Sequence, residues 1–373
     1  MRKRILFLMS DTGGGHRASA QAICEAIGFL YPDQFEILIE DIWMDHTRWP
    51  FNQLPHLYPW LSSSGTRWWM VLWRVTQRPF LWKSIMRMTD WVTRRGILRF
   101  LREVQPDIVV SVHPAMNHLG VEWVKQICPG VPFYTVITDM VTVHPTWVCP
   151  EVTGCAVSTQ PAREQAIAAG MPAEKVAVCG QPVGLKFAHL NGERPVLRAR
   201  LDLDGERPCI LIVGGGEGIG RVYDIARSVA QTVEQAQLII VAGRNKHLKQ
   251  KLEAIIWEIP TQVYGFVQNM SELMGAADIL VTKAGPGTIS EAFIAGLPII
   301  ISGYIPGQER GNVDYVLENN AGAYAEEPVE IARLINDWLH PQNDLLEQMK
   351  QNAARLARPQ ASLEIARLLC GHV

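Results

Sequence analysis

KAGPGTISEAFIAGLPIIISGYIPGQERGN, the run from Lys283 to Asn312, reads as the middle of a βαβ unit. The apolar residues Ile279-Leu280-Val281 just before it end a strand, and Lys283-Ala284-Gly285-Pro286-Gly287 turns the chain. Thr288 is the expected N-cap of a helix over Ile289–Ala295, and Gly296-Leu297-Pro298 stops that helix. A second strand, Ile299-Ile300-Ile301, runs into a loop that ends in Gln308-Glu309. Polar groups therefore stand at the carboxyl ends of both strands, where open parallel sheets bind their ligands. Glycines let a backbone approach a phosphate closely, and a helix N-terminus offers free N–H groups and a positive dipole end. Glu291, one turn into the helix, either accepts hydrogen bonds from ribose hydroxyls or faces water; spacing leaves both open.

The same strand, glycine loop and helix recur twice. Near the start, Ile5–Met9 is followed by Ser10-Asp11-Thr12-Gly13-Gly14-Gly15-His16-Arg17 and a helix over Ala18–Leu30. That loop lacks GxGxxG, so a Rossmann dehydrogenase fits poorly. His16 stands at the helix mouth, where the positive helix end keeps an imidazole neutral and fit for general-base work. A capping or core histidine is the other reading. The third copy is Cys209–Val213 with Gly214-Gly215-Gly216-Glu217-Gly218-Ile219-Gly220-Arg221, a loop suited to a pyrophosphate, with Arg221 adding charge.

Further strands are expected at Phe35–Glu40, Pro106–Ser111, Phe133–Thr138, Gly154–Ser158, Val176–Cys179, Leu238–Ala242 and Val263–Val267, with only helices after Gly322. The fold class is α/β: two facing Rossmann-like doubly wound domains with a cleft between them. The N-terminal domain spans 1–180 and a Gly-, Pro- and charge-rich linker spans 181–207. The C-terminal domain spans 208–355, and residues 356–373 form a helix able to return to the first domain. Asp202-Leu203-Asp204 imitates a DxD metal motif but falls in that turn-rich linker and reads as surface.

With 373 residues, 48% of them hydrophobic, the chain can bury two cores, and a formal net charge of −2 speaks against a nucleic-acid partner. Seven scattered cysteines without CxxC read as reduced thiols. The basic start Met1-Arg-Lys-Arg precedes an apolar run too short for a signal-peptide core and reads as the lead into a first strand. The segment from Trp60 to Arg102 stands apart, with six tryptophans and nine Lys or Arg residues against the single acid Asp90. Trp69 and Trp73 lie one helical turn apart, with Arg67, Arg74, Arg78, Lys83 and Arg87 interleaved. Indoles at headgroup level and cations near anionic lipid make this a membrane-contact segment; a helical pair packed on the sheet is the alternative.

The Lys283–Asn312 stretch, the loop DTGGGHRASA (residues 11–20), Val112-His113-Pro114 and TDMVTVHPTW (residues 138–147) together resemble glycosyltransferase family 28. Within it they are similar to the monogalactosyldiacylglycerol synthases and diacylglycerol glucosyltransferases, over nearly the whole chain. The resemblance implies the GT-B architecture and inverting transfer of galactose or glucose from a UDP-sugar to diacylglycerol, giving a β-glycoside. It implies a peripheral enzyme on the cytoplasmic side of a membrane, with anionic lipids as partners and neither cofactor nor metal. It places the base at His16, with Asp139 beside it, and Gly14, Gly15, His113 and His144 on the acceptor side. Donor binding falls to Gly215, Gly216, Arg221, Phe266, Lys283, Gly285, Gly287, Thr288, Glu291, Gln308, Glu309 and Asn312. Glu291 takes the ribose, and Gln308 and Glu309 the hexose. Trp69, Trp73 and Arg74 meet the membrane. Two rivals stand beside this reading: a GT-B transferase on another lipid, such as an undecaprenyl-linked peptidoglycan precursor, and a nucleotide-sugar protein that transfers nothing. Galactose and glucose differ by one axial hydroxyl, which no motif here reads, and no oligomeric state is implied.

Overall fold

The computed structural model describes residues 2–12, 14–53, 55–57, 65–188, 194–218 and 220–371. Gly13, Trp60 and Ile219, and the side chain of Lys83, lie outside the described residues. The chain divides into two compact units. The first runs to Leu185 and includes Pro306–Gln308 and the chain from Gln360 onward; the second comprises Lys186–Ile305 and Glu309–Pro359.

The first unit is built on β1 (Lys3–Met9), β2 (Phe35–Asp41), β3 (Ile108–Ser111), β4 (Phe133–Val136), β5 (Gly154–Val157) and β6 (Val176–Val178). They form one parallel sheet in the order β2-β1-β3-β4-β5-β6. Its central strands are continuous apolar runs because helices cover both faces. Leu6, Leu8 and Val109 face one core and Ile5, Phe7, Ile108 and Val110 the other, as strand alternation requires. The second core is closed by the helix Ala361–Cys370, which packs on the helix Gly15–Leu30 through Leu363, Ala366 and Leu369. Ser362 Oγ ties it to Val183, donating to the carbonyl (2.6 Å) and accepting from the N–H (3.0 Å).

The second unit holds β7 (Cys209–Val213), β8 (Gln237–Val241), β9 (Thr261–Tyr264), β10 (Ile279–Thr282), β11 (Ile299–Ile301) and β12 (Gly322–Tyr324), ordered β12-β11-β10-β7-β8-β9 and all parallel. Here the structure departs from the sequence reading at four places. β12 is a three-residue, half-buried edge strand, too short for any period, where only helices were expected. β9 lies two residues earlier than read, which leaves Gly265 and Phe266 in the loop beyond it. The helix after β10 spans Pro286–Ile294 with Gly285 as N-cap, so Thr288 sits inside the first turn; proline at the first helical position is pre-set for that role. Finally, the supposed linker contains the helix Arg194–Arg200. Arg198, buried, pairs with Asp278 at 2.5 Å and donates to the Ala276 carbonyl at 3.0 Å, and Arg194 meets the same carboxylate at 2.9 Å.

Strand order positions the candidate sites. β1 has β2 on one side and β3 on the other, and β7 has β8 on one side and β10 on the other. Chain connections diverge at these switch points and leave a crevice at the strand ends. The loops after β1 and β3 flank one crevice, and those after β7 and β10 flank the other.

Candidate active site

In the first unit the helix Gly15–Leu30 begins directly above β1. Its N-cap, Gly14, has φ 79°, a left-handed conformation that glycine adopts without strain. No side chain caps the first turn and no acid stands in it, so the positive helix end is uncompensated. His16 occupies the second helical position and is half-buried. Its Nδ1 lies 3.0 Å from the Thr138 hydroxyl, and the Val112 backbone stands near the ring. His113 packs edge-on against it, with ring centroids 4.7 Å apart, and Trp147 lies at 6.2 Å. Burial drives the His16 pKa down to about 4, against the opposing pull of the Val112 backbone and the Asp11 charge. His113 is held well below its ordinary value by burial and by His16. Because His113 Nδ1 accepts the Ala115 N–H (3.3 Å), the neutral ring carries its proton on Nε2, toward Thr12 Oγ1 at 3.3 Å. These imidazoles are neutral near pH 7, the state a proton acceptor needs.

Asp139, the second catalytic candidate, faces elsewhere. Its Oδ2 accepts the Trp147 indole N–H at 2.6 Å, and its Oδ1 accepts the Gln308 amide at 3.1 Å. The buried carboxylate is thus spent on holding Trp147 and Gln308, and the neighbour in sequence that reaches His16 is Thr138. His144 is likewise a buried, neutral histidine, lowered to about 4 by desolvation, with Nδ1 toward Thr146 and Nε2 toward Thr76.

The tryptophan pair also differs from its expected role. On the helix Thr66–Thr76, Trp69 Nε1 donates to the Pro306 carbonyl at 3.1 Å, and the Trp73 ring lies 4.5 Å from that of His144 and against Gly307. Both indoles are half-buried. Two faces of this helix are apolar, and the one turned to solvent carries Trp68 (67% exposed), Val71 and Leu72. Arg74 is exposed as expected, and on the following helix, Pro79–Val104, Phe80, Met88 and Trp91 (79% exposed) reach outward.

In the second unit the loops after β7 and β10 meet. Gly215 has φ +70°, and the Lys283 side chain lies against it, where a Cβ would come within 3.2 Å of Cε. Gly218 (φ +61°) admits no side chain, since a Cβ there would sit 2.1 Å from the Ala242 carbonyl oxygen. The helix Pro286–Ile294 has neither capping side chain nor acid in its first turn, and open space surrounds Gly285 and Gly287. Its uncapped N–H groups, Thr288 in the first turn and Lys283 beside the neighbouring loop have the donor chemistry that suits an anion. Glu291, farther along the helix, has its carboxyl pushed up to about 7 by burial, with Lys186 pulling the other way. Phe266 is exposed beyond β9, with the Arg244 guanidinium 4.5 Å from its ring centroid and close to Gly216.

Three donor candidates are already engaged. Arg221 forks onto Glu327 at 2.9 and 3.0 Å, which compensates the charge expected to face a pyrophosphate. Glu309 is buried and accepts the Ile305 N–H at 2.8 Å. Asn312 donates to the Ala284 carbonyl at 2.9 Å, and its buried Oδ1 has no hydrogen-bond partner among the described residues. Glu309 and Asn312 therefore shape the loops after β10 and β11. Among the described residues no group of three His, Cys, Asp or Glu side chains could hold a metal ion. Sequence reasoning missed Lys186 and Arg244, which carry no motif, Thr138, which opens TDMVTVHPTW but stands beside the more conspicuous Asp139, and the outward Trp68 and Trp91, which sit in the segment it did single out.

Residues 16–183 match the family model described as monogalactosyldiacylglycerol (MGDG) synthase, and residues 209–365 match the glycosyltransferase family 28 C-terminal domain. Monogalactosyldiacylglycerol synthase 1, chloroplastic, of Arabidopsis thaliana is 44% identical over 372 residues, covering 97% of this chain and 70% of that one. Among solved structures, MurG of Acinetobacter baumannii superposes with a TM-score of 0.61 at 16% identity, over 98% of this chain and 99% of that one. Anabaena Alr3699/HepE, solved in complex with UDP-glucose, does so with 0.58 at 15%, over 99% and 100%. At those identities the likeness establishes the two-domain GT-B fold and nothing about substrate. The relative at 44% goes further: the chain belongs to the monogalactosyldiacylglycerol synthase family and is a glycosyltransferase.

Proposed function

We propose that this protein transfers galactose from UDP-galactose to the free hydroxyl of diacylglycerol at a membrane surface, with inversion to a β-galactoside. The observation that carries the reading is the neutral His16 imidazole at the uncapped mouth of the helix Gly15–Leu30, in the crevice between β1 and β3. As the acceptor oxygen attacks the anomeric carbon, its proton passes to His16. The bond to UDP breaks, and UDP leaves with the electron pair. Its charge is met by the N–H groups of the helix Pro286–Ile294 and by Lys283. Glu291 accepts from the ribose. The acceptor and the choice of galactose over glucose follow the name of the Arabidopsis relative.

Action at a surface is supported by the outward faces of the helices Thr66–Thr76 and Pro79–Val104. Trp68, Leu72, Phe80 and Trp91 are exposed there, flanked by exposed Arg74 and Arg78. Such a face suits a lipid headgroup layer of negative charge, and no helix among the described residues is long and apolar enough to cross a membrane. The decisive experiment supplies diacylglycerol in vesicles with UDP-galactose or UDP-glucose, identifies the lipid product and reads its anomeric proton by NMR. A β-galactosyl lipid made faster with UDP-galactose is the expected result. Release of free sugar without a glycolipid, or an α-linked product, overturns the reading.

A further inference from the structure

Beside His16 stands Thr138, the first residue of TDMVTVHPTW (residues 138–147). A base histidine needs its second ring nitrogen held, so that the imidazole presents the right edge to the incoming hydroxyl. A carboxylate in that position would also stabilise the imidazolium and raise its pKa. In this protein the nearest carboxylates are unavailable. Asp139 bonds the Trp147 indole, and Asp11 pairs with Arg17 at 2.9 Å and acts on His16 only through its charge. What touches His16 Nδ1 is the hydroxyl of Thr138, buried and 3.0 Å away. The other groups packed on the ring are His113, itself neutral, the Val112 backbone and the Trp147 ring.

We infer that Thr138 is the positioning residue of the His16 base, orienting the imidazole through a neutral hydroxyl where a carboxylate would otherwise stand. The inference rests on the reading of His16 as the base. A hydroxyl both donates and accepts, so it satisfies Nδ1 in either tautomer; where it accepts the Nδ1 proton, the other ring nitrogen keeps its lone pair, and the hydroxyl adds no charge to the pocket. The base then remains deprotonated far into the acid range. His16 lies at about 4, with the low pKa a consequence of burial that no adjacent anion reverses. Orientation is retained while the ring competes for a proton only when the acceptor oxygen attacks.

The test compares Thr138→Val, Thr138→Ser and Thr138→Asp in the full chain, with diacylglycerol vesicles and UDP-galactose. Val keeps the shape and removes the hydroxyl; it should lower kcat about tenfold while KM for UDP-galactose and UDP affinity stay within a factor of two. Ser restores the hydroxyl and should recover most of that loss. Asp places a carboxylate on Nδ1 and should move the acid limb of kcat/KM upward by about one pH unit or more, which a purely structural role for Thr138 would not do. Wild-type kcat in Val, or an acid limb in Asp that coincides with wild type, overturns the inference. If Val does not fold, the Ser and Asp pair decides alone. His16→Ala separates the two levels: near-normal activity there removes the base reading itself, whereas a large loss there beside an unchanged Thr138→Val removes only the role of Thr138.

Discussion

The crevice above β1 and β3 and the crevice above β7 and β10 share one backbone plan and differ in what fills the first helical turn. At the second helical position the helix Gly15–Leu30 carries His16, and the helix Pro286–Ile294 carries Gly287. Both helices lack a capping side chain and a first-turn acid, so both present free N–H groups and a positive end. In the first crevice that field acts on the neutral imidazole of His16, against which His113 packs, both depressed chiefly by burial. In the second it is left open, bordered by glycines that keep side chains away. Under the proposed function, one cradle accepts a proton and the other receives an anion. Side chains at two or three positions, not the fold, divide the labour.

The strongest way to break this comparison is His16→Ala. If the first crevice supplies the base, turnover on diacylglycerol vesicles should fall by about 10²- to 10⁴-fold while UDP affinity, measured by calorimetry, is unchanged. A fall in both would mean that the two crevices are not separate in function.

The reciprocal change is Gly287→Val. A Cβ at Gly287 meets nothing within 4 Å, so the fold should tolerate it, yet the side chain intrudes on the open helix end. Losing one hydrogen bond to a charged ligand group is worth about tenfold or more in affinity. UDP binding should weaken by about that factor, with the melting temperature little altered. Undiminished UDP binding would place the anion elsewhere than this helix end.

A third change sharpens the boundary of the acceptor side. Arg74 is exposed beside Trp68 and Leu72. A cation close to an anionic membrane contributes about 1 kcal/mol, near fivefold in affinity. Arg74→Ala should therefore reduce co-sedimentation with anionic vesicles about fivefold at low salt and less at high salt, where the charge is screened. Trp68→Ala combined with Trp91→Ala should reduce binding at both salts. Trp69→Ala with Trp73→Ala should act through the packing of the helix Thr66–Thr76 on His144 and Pro306, lowering the melting temperature. If the inward pair proves the stronger membrane determinant, the orientation of this helix must change on the lipid.

These contrasts also mark what sequence alone can carry. Strand, glycine loop and helix were legible because apolar runs and glycines act locally, and so were both crevices. The outward face of the helix Thr66–Thr76 was not: Trp68, Trp69 and Trp73 are chemically identical, and only tertiary packing turns two of them inward. Thr138 was hidden beside the more conspicuous Asp139, because a hydroxyl acquires its role from an imidazole 122 positions away in the chain. β12 was missed because three residues carry no period, and Arg194 and Arg198 looked like linker charge until Asp278 was placed against them.

The smallest expected effect concerns protons, and it runs in opposite directions in the two crevices. A histidine at about 4 in the folded chain and 6.5 when unfolded stays neutral while the unfolded state takes up a proton. Its burial therefore lowers stability as pH falls through that window. Glu291, at about 7 when folded against 4.5, keeps a proton that the unfolded chain has lost, so it lowers stability as pH rises from 4.5 toward 7. The same shift reaches ligand binding. A carboxylate accepts hydrogen bonds from ribose hydroxyls better than a protonated acid does, and about a tenth of Glu291 is ionised at pH 6 against about nine-tenths at pH 8. UDP affinity should then rise by a few-fold, and less than about tenfold, across that interval. The terminal phosphate of UDP also titrates near pH 6, so the informative quantity is the difference between wild type and Glu291→Gln, in which the ligand's own titration cancels. Calorimetric titrations of both proteins with UDP from pH 6 to 8 should show a steeper rise for the wild type. Parallel curves would mean that no carboxylate of the second crevice meets the ribose, and Glu291 would revert to a buried acid of the helix Pro286–Ile294.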